Sequence, residues 1–278
     1  MLENLIFLLA PFTACVLLAG ILSYFGNHIL SRGIIFIDIA VAQIAALGTM
    51  IGLLLGFSQD SLSVELSSYI FTLIVISLFA LTKFQKQKIS QEAIIGIIYC
   101  IGLGLALLLV EKIPGGSNYI TKTITGNILW VNWSQVLYSF LIFASIGIIH
   151  FFYKKHFVKI SDSATSDLLP YSQKKLRQYE LIFYITFGIV IVKAVPIAGI
   201  FLVFILLVAP TAAVTLFTNN WKKRFIGSWL IGIIGSAVGI YLSYVFNISN
   251  GPAIVCLLGI TVFILAFIKL FKKQTIKS

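Results

Sequence analysis

Apolar runs divide this chain into nine blocks separated by short polar or basic segments. The first, about 4–25, is uncharged, and the second, 33–56, holds the single charge Asp38. The third runs from about 62 to 82 with Glu65 near its start, and the fourth, 91–111, lies between Glu92 and Glu111. The fifth is 133–153. From Leu181 to Trp221 the only charge is Lys193, closely followed by Pro196. A run this long exceeds one membrane crossing and reads as spans six (about 179–193, short) and seven, turning near 193–197. From Phe225 to Ile268 there is no charge, and the turn cluster Asn247-Ile248-Ser249-Asn250-Gly251-Pro252 cuts that stretch into spans eight and nine. A hydrocarbon core about 30 Å thick takes about 20 apolar residues per helix, so the pattern predicts an all-α, polytopic transmembrane bundle of about nine spans in one domain, 1–278.

Composition narrows the class further. Of the residues, 59% are hydrophobic and 10% charged, with a mean hydropathy of +1.05. Soluble domains are roughly 45–50% apolar and about 25% charged, so a soluble enzyme with a polar surface is excluded. Disorder requires the opposite composition. The net charge of +11 would suggest nucleic acid in a soluble protein. Here the distribution of cations explains it. Nine alternating spans put Arg32, Lys83, Lys86, Lys88, the 154–178 cluster, Lys222, Lys223, Arg224 and the C-terminal lysines on one side, 17 basic residues in all. Only 3, Lys112, Lys122 and Lys193, fall on the other. Basic loops stay cytoplasmic, so the N-terminus is expected outside, the C-terminus inside, and the chain in the inner (plasma) membrane. Glu3 precedes the first run with no basic segment, so that run is expected to be a retained span.

Candidate chemistry is sparse. Cys15, Cys100 and Cys256 lie far apart in apolar stretches, which indicates neither a disulfide framework nor a zinc knuckle. His28 and His150 have no paired spacing, and no G-x-S-x-G, H-E-x-x-H or Walker A loop occurs. No enzymatic activity and no cofactor are expected, and energy for transport would come from a partner or an ion gradient. Gly48, Gly52 and Gly56, and separately Gly235 and Gly239, recur at the spacing that lets membrane helices approach closely, which reads as packing within the subunit. Asp38 is the clearest intramembrane acid. A charge at the bilayer centre costs roughly 2.5–3.5 kcal/mol on insertion scales. It either caps or pairs with a neighbouring element near the cytoplasmic end, or it serves substrate passage. Gln43, five residues on, diverges from it by about 140° around a helix, so the two form no ready-made chelate. Lys193 is expected to snorkel at the outer surface. The 154–178 connection is the longest inner loop, carries six basic residues, and contains Ser166 and Asp167 as possible caps of a short helix.

Four segments together resemble the permease subunits of the ABC-3 family, bacterial importers of manganese, zinc and iron. They are R-G-I-I-F-I-D-I-A-V-A-Q-I-A-A-L-G at 32–48, E-A-I-I-G-I-I-Y-C-I-G-L-G-L-A-L-L-L at 92–109, G-N-I-L-W-V at 126–131, and A-G-I-F-L-V-F-I-L-L-V-A-P-T-A-A at 198–213. Many family members carry D-A-x-x-H in span two; Gln43 occupies the His position here and the acid, Asp38, lies one place earlier. The F-D-P-E-like segment before the sixth span is replaced by S-D-S-A-T-S-D-L-L-P. The resemblance implies a permease of the type II importer class, working as a homodimer with the path at its interface. Two cytoplasmic ABC ATPase subunits would dock below, with 154–178 as the candidate docking segment, and a metal-binding solute-binding protein above. It also implies that Asp38 and Gln43 line the metal path. The competing class is an ion-gradient-driven secondary transporter, which usually shows internal repeats and clustered intramembrane acids; a membrane enzyme or assembly protein is a third.

Overall fold

A computed structural model describes residues 2–58, 61–81, 89–113, 116–164 and 170–275. Among these there are nine α-helices: α1 (Leu2–Arg32), α2 (Ile37–Leu54), α3 (Leu62–Leu81), α4 (Gln91–Val110), α5 (Gly116–Thr125), α6 (Trp133–Asp162), α7 (Gln173–Thr215), α8 (Trp221–Phe246) and α9 (Asn250–Thr275). A single 3₁₀ turn covers Ile128–Trp130. All but α5 are long and apolar enough to cross a membrane. This follows from the solvent: in lipid every backbone polar group must be satisfied internally, and a helix does so within its own segment.

The nine apolar blocks map onto eight long helices because blocks six and seven form one helical run, α7. It is broken at Gly199, whose φ of 77° and ψ of 160° are not helical. The break falls just beyond the turn expected at 193–197. A second difference concerns the 154–178 connection. Its residues 154–162 continue α6 and residues 173–178 begin α7, leaving 163–172 between them. Hydropathy marks where a helix leaves the membrane, not where it ends. Lys154, Lys155 and Lys159 are good helix formers, and the 30 residues of α6 extend about 45 Å at 1.5 Å per residue. Ser166 and Asp167, the expected caps, lie outside the described residues, as do Lys83, Lys86 and Lys88.

The chain divides into two compact units. The first comprises Met1–Leu30, Thr125–Phe143 and Ile197–Ser278. Within it α8 packs on α9, where a Cβ on Gly235 or Gly239 would run into Leu258 or Ile254. Gly26 of α1 lies directly on the Leu207 carbonyl of α7, and Trp229 Nε1 donates to Val16 O at 3.2 Å. Two glycines with positive φ, Gly126 (74°) and Gly199 (77°), meet backbone to backbone, with no room for a Cβ on either. The Ile197 carbonyl, next to the helix break, accepts from Asn127 N–H at 3.1 Å. Thus the G-N-I-L-W-V and A-G-I-F segments are joined by a junction that only glycine fits.

The second unit comprises Ser31–Ile124 and Ala144–Pro196. Here α2 packs against α3 and α4. Gly48 and Gly52 face Ser67, Ser68 and Val64 of α3, and the hydroxyls of Ser67 and Ser68 donate to Gly48 O (2.7 Å) and Ala45 O (2.9 Å). Gly102 of α4 lies over Gln43 and Ile44. Gly56 has a positive φ of 86° beyond the end of α2, with open space among the described residues where a Cβ would stand. Both glycine pairs that do pack are used within the chain, as the spacing suggested.

Candidate functional site

The start of α2 carries the most unusual group. Gly33, with φ 68° and open space around it, turns the chain after Arg32, and α2 begins at Ile37. Asp38 therefore sits in the first helical turn rather than deeper in the span. Phe36, at the cap position, makes no side-chain capping bond. The Asp38 carboxylate lies against the backbone N–H groups of Asp38 and Ile39, where the positive end of the helix dipole favours an anion. Asp38 is 2% exposed, yet its Oδ1 has no hydrogen-bond partner. A buried acceptor left unmet costs about 1–3 kcal/mol, so this oxygen is ready for a cation or for a donor that arrives in another state.

Gln43 is also buried, but it is packed toward α4 against Gly102. Among the described residues no three His, Cys, Asp or Glu side chains gather into a group that could hold a metal. Neutral Gln43 is a poor ligand for a divalent transition metal, which prefers imidazole, thiolate or carboxylate. Among the described residues, the open oxygen at this end of α2 is therefore that of a single carboxylate.

The same end of the unit holds a cluster of buried polar side chains. Arg32 Nη1 donates to Glu180 Oε2 at 2.6 Å, and both side chains are 1% exposed. Arg32 Nε donates to Ser161 Oγ at 3.0 Å, and its guanidinium carbon lies 3.8 Å from the centre of the Phe183 ring. Its Nη2 is buried without a partner. Beside it, His150 Nε2 and Thr186 Oγ1 are 2.7 Å apart, and Gln91 Nε2 donates to Tyr184 Oη at 3.4 Å. At the other end of the unit Lys193 Nζ pairs with Glu65 Oε1 at 3.2 Å, so the lysine expected to snorkel is held by α3 instead. In α5 of the same unit, burial pushes the Tyr119 phenol above its ordinary pKa, with hydrogen bonds to Thr49 and Thr123 opposing. Helix ends that the alternation of spans assigns to one side (32, 91, 161 and 180) thus cluster together, and the two assigned to the other (65 and 193) pair with each other.

Sequence reasoning found Asp38 and missed Glu180, Ser161 and Tyr184. Glu180 stands at the edge of an apolar run amid cations, where an acid looks like an ordinary solvated loop charge. His28, the other histidine noted, is buried in the first unit, 4.8 Å from the Trp221 ring and 4.9 Å from Tyr24. The end of the α6–α7 hairpin is stapled by rings: His156 stacks on Tyr179 at 4.5 Å, and its Nδ1 lies 2.8 Å from Tyr171 Oη. The hairpin bears exposed Lys154, Lys155, Lys159, Lys174, Lys175 and Arg177.

Comparison with known proteins places this geometry in context. The model of a family described as ABC 3 transport family matches residues 4–270. A Listeria monocytogenes protein named "Manganese transport system membrane protein MntC" is 28% identical over 188 residues, covering 66% of this chain and 64% of that protein. The chain thus spans somewhat less than two thirds of the length of that relative. A Haemophilus influenzae protein named "Probable iron transport system membrane protein" is 27% identical over 186 residues, covering 66% of this chain and 63% of that protein. Among solved structures, PsaBC from Streptococcus pneumoniae in complex with Fab superposes with a TM-score of 0.76 at 20% identity, covering 95% of each chain. At that identity the likeness speaks to the fold.

Proposed function

This chain belongs to the ABC 3 transport family, and we propose that it is the multi-pass membrane permease of an ATP-driven importer for a divalent transition metal. Manganese and iron are the metals named in its relatives, and zinc remains within the same chemistry. In this reading the chain is not itself an enzyme. It works as a homodimer, takes metal from a solute-binding protein outside, and is driven by cytoplasmic ABC ATPase subunits that dock on the 154–178 hairpin. The N-terminus lies outside and the C-terminus in the cytoplasm, an orientation supported by the 17-to-3 division of cations.

The observation that carries the reading is the Asp38 carboxylate, buried at one end of an apolar helix with an oxygen left open. A cation crossing the bilayer needs such a stop, and a single carboxylate releases a divalent ion where a full cage would retain it. Gln43, buried five residues further along the same helix, bears on the path by its volume. The test is uptake of labelled Mn²⁺, Fe²⁺ and Zn²⁺ into vesicles holding the permease, its ATPase and its binding protein. Asp38→Asn keeps the shape and is expected to lower uptake by roughly ten-fold or more, as for loss of one charge-assisted contact of about 1.5–3 kcal/mol, with assembly and melting temperature unchanged. Uptake that survives replacement of the ATPase's Walker lysine but collapses with a protonophore would assign the chain to the secondary transporters instead.

A further inference from the structure

Arg32 and Asp38 lie six residues apart on either side of the Gly33 corner, and each carries a buried polar atom without a partner: Arg32 Nη2, a donor, and Asp38 Oδ1, an acceptor. They are the two charged side chains among the described buried atoms left unsatisfied in this way, and they are complementary. Arg32 is at present held elsewhere. Its Nη1 is bound to Glu180 at the start of α7 and its Nε to Ser161 at the end of α6. Those two residues flank the connection 163–172, so Arg32 ties the α1–α2 corner to the hairpin. Gly33 has no neighbour within 4 Å of where a Cβ would stand.

We propose that Arg32 is a positioning residue that exchanges between two carboxylates, Glu180 and Asp38, and so couples movement of the α6–α7 hairpin to occupancy of Asp38 by the metal. Held by Glu180 and Ser161, Arg32 leaves Asp38 Oδ1 open to a divalent cation. When the hairpin shifts and the ion pair with Glu180 opens, the guanidinium turns to Asp38 through its spare nitrogen and displaces the cation. A guanidinium is a strong, directional partner for a carboxylate, and both positions keep it paired, which a buried charge requires. The two arrangements form the two-state element that any coupling between docking hairpin and ion path needs. The inference rests on the importer reading above and adds the residues that gate its carboxylate.

The test uses the purified full-length chain and the rise in melting temperature produced by Mn²⁺ alone, together with uptake by the assembled complex. Glu180→Gln keeps an acceptor for Arg32 but releases the charge pair, so Arg32 is expected to occupy Asp38; the Mn²⁺-induced rise should shrink and uptake should fall roughly ten-fold, within the usual range of coupling energies, while the ATPase is retained. The double change Arg32→Met with Glu180→Leu removes both charges in matched apolar volume, which buried pairs often tolerate. It leaves Asp38 permanently open, so the Mn²⁺-induced rise should exceed that of the unmodified chain while uptake falls. Asp38→Asn should abolish the rise in every background. Equal Mn²⁺ responses in the unmodified chain and in Glu180→Gln would overturn the proposal, as would a response that survives Asp38→Asn; either readout is obtained from Glu180→Gln and Asp38→Asn alone should the double variant not fold. Failure of the importer reading shows separately, as no metal uptake by the unmodified chain with its ATPase and binding protein.

Discussion

Arg32 ends α1 and belongs to the second unit; Arg224 stands four residues into α8 and belongs to the first. Both are buried, and both guanidinium groups lie by an aromatic ring, Phe183 at 3.8 Å for Arg32 and Trp221 at 5.0 Å for Arg224. Their hydrogen-bonding partners differ in kind. Arg32 is bound to the Glu180 carboxylate at 2.6 Å. Arg224 Nε donates to the neutral side chain of Asn27 at 3.0 Å, and its Nη2 to the Asn27 backbone carbonyl at 3.4 Å. The helix dipole also treats them oppositely, since a cation is favoured at the C-terminus of α1 and disfavoured at the N-terminus of α8. In the nine-span reading both arginines fall on the cytoplasmic side, so by that reading membrane side rather than the dipole sets where they stand. The local partner then decides what each cation does. Asn27 offers Arg224 a neutral amide oxygen and a backbone carbonyl, whereas Glu180 offers Arg32 a carboxylate, which by our proposal it exchanges for that of Asp38.

The largest effect expected from this difference is in single truncations. Arg32→Ala takes the cation from a buried carboxylate, and breaking a buried pair in this way costs about 3–5 kcal/mol. Arg224→Ala leaves behind only amide and carbonyl acceptors from Asn27 for these bonds, and should cost about 1–3 kcal/mol. Unfolding of the two variants in mixed micelles measures both. Equal losses would mean that the carboxylate of Glu180 adds nothing to its anchor and that the two sites are one kind of device.

How far the sequence revealed these features depends on background. Asp38 was conspicuous because it is the one charge in an uncharged run. Arg32 and Glu180 sit at the edges of apolar blocks, where charge is normal, and their pairing spans 148 residues of sequence. No local pattern reports a contact at that separation. The helices themselves were legible because each membrane span satisfies its own backbone. Helix α5 was not, since it is short and not apolar enough to cross a membrane. Nor was the continuation of α6 past Tyr153, where hydropathy falls while helix propensity persists. Lys193 served as a turn signal in the sequence; in the fold it is an ion-pair partner of Glu65, and the break comes at Gly199, where backbone approach by Gly126 excludes any side chain.

A sharper probe converts one anchor toward the other. Asn27→Asp gives Arg224 a carboxylate in place of an amide oxygen, at a position where the side chain is buried. The Asn27 amide nitrogen now donates to Ser23 O at 2.7 Å, and that bond is lost. The gain of a charge-assisted bond, about 1.5–3 kcal/mol, offsets the lost neutral bond and the desolvation of a new carboxylate, so the net change should fall within about 1 kcal/mol. Asn27→Ala, which removes both bonds, should cost more than Asn27→Asp. The reverse order in unfolding measurements would show that a neutral partner is required at Arg224, and that the first unit selects against an ion pair there.

The smallest expected effect separates cations that look alike in sequence. Lys222, Lys223 and Arg224 are consecutive, and all three count equally toward the charge asymmetry. The lysines are exposed, and only Arg224 turns inward to Asn27. Surface substitutions away from specific contacts usually stay within about ±0.5 kcal/mol. Removing both lysine charges, Lys222→Gln with Lys223→Gln, should therefore leave the unfolding free energy nearly unchanged. Arg224→Lys keeps the charge but has no planar fork to reach the side-chain and backbone oxygens of Asn27 together, and should cost about 1–2 kcal/mol. The charge-preserving change is thus expected to be the more damaging one. If the double neutralisation proved worse, the stability at this helix start would come from net charge against the membrane surface, and the directed bonds of Arg224 would be incidental to it.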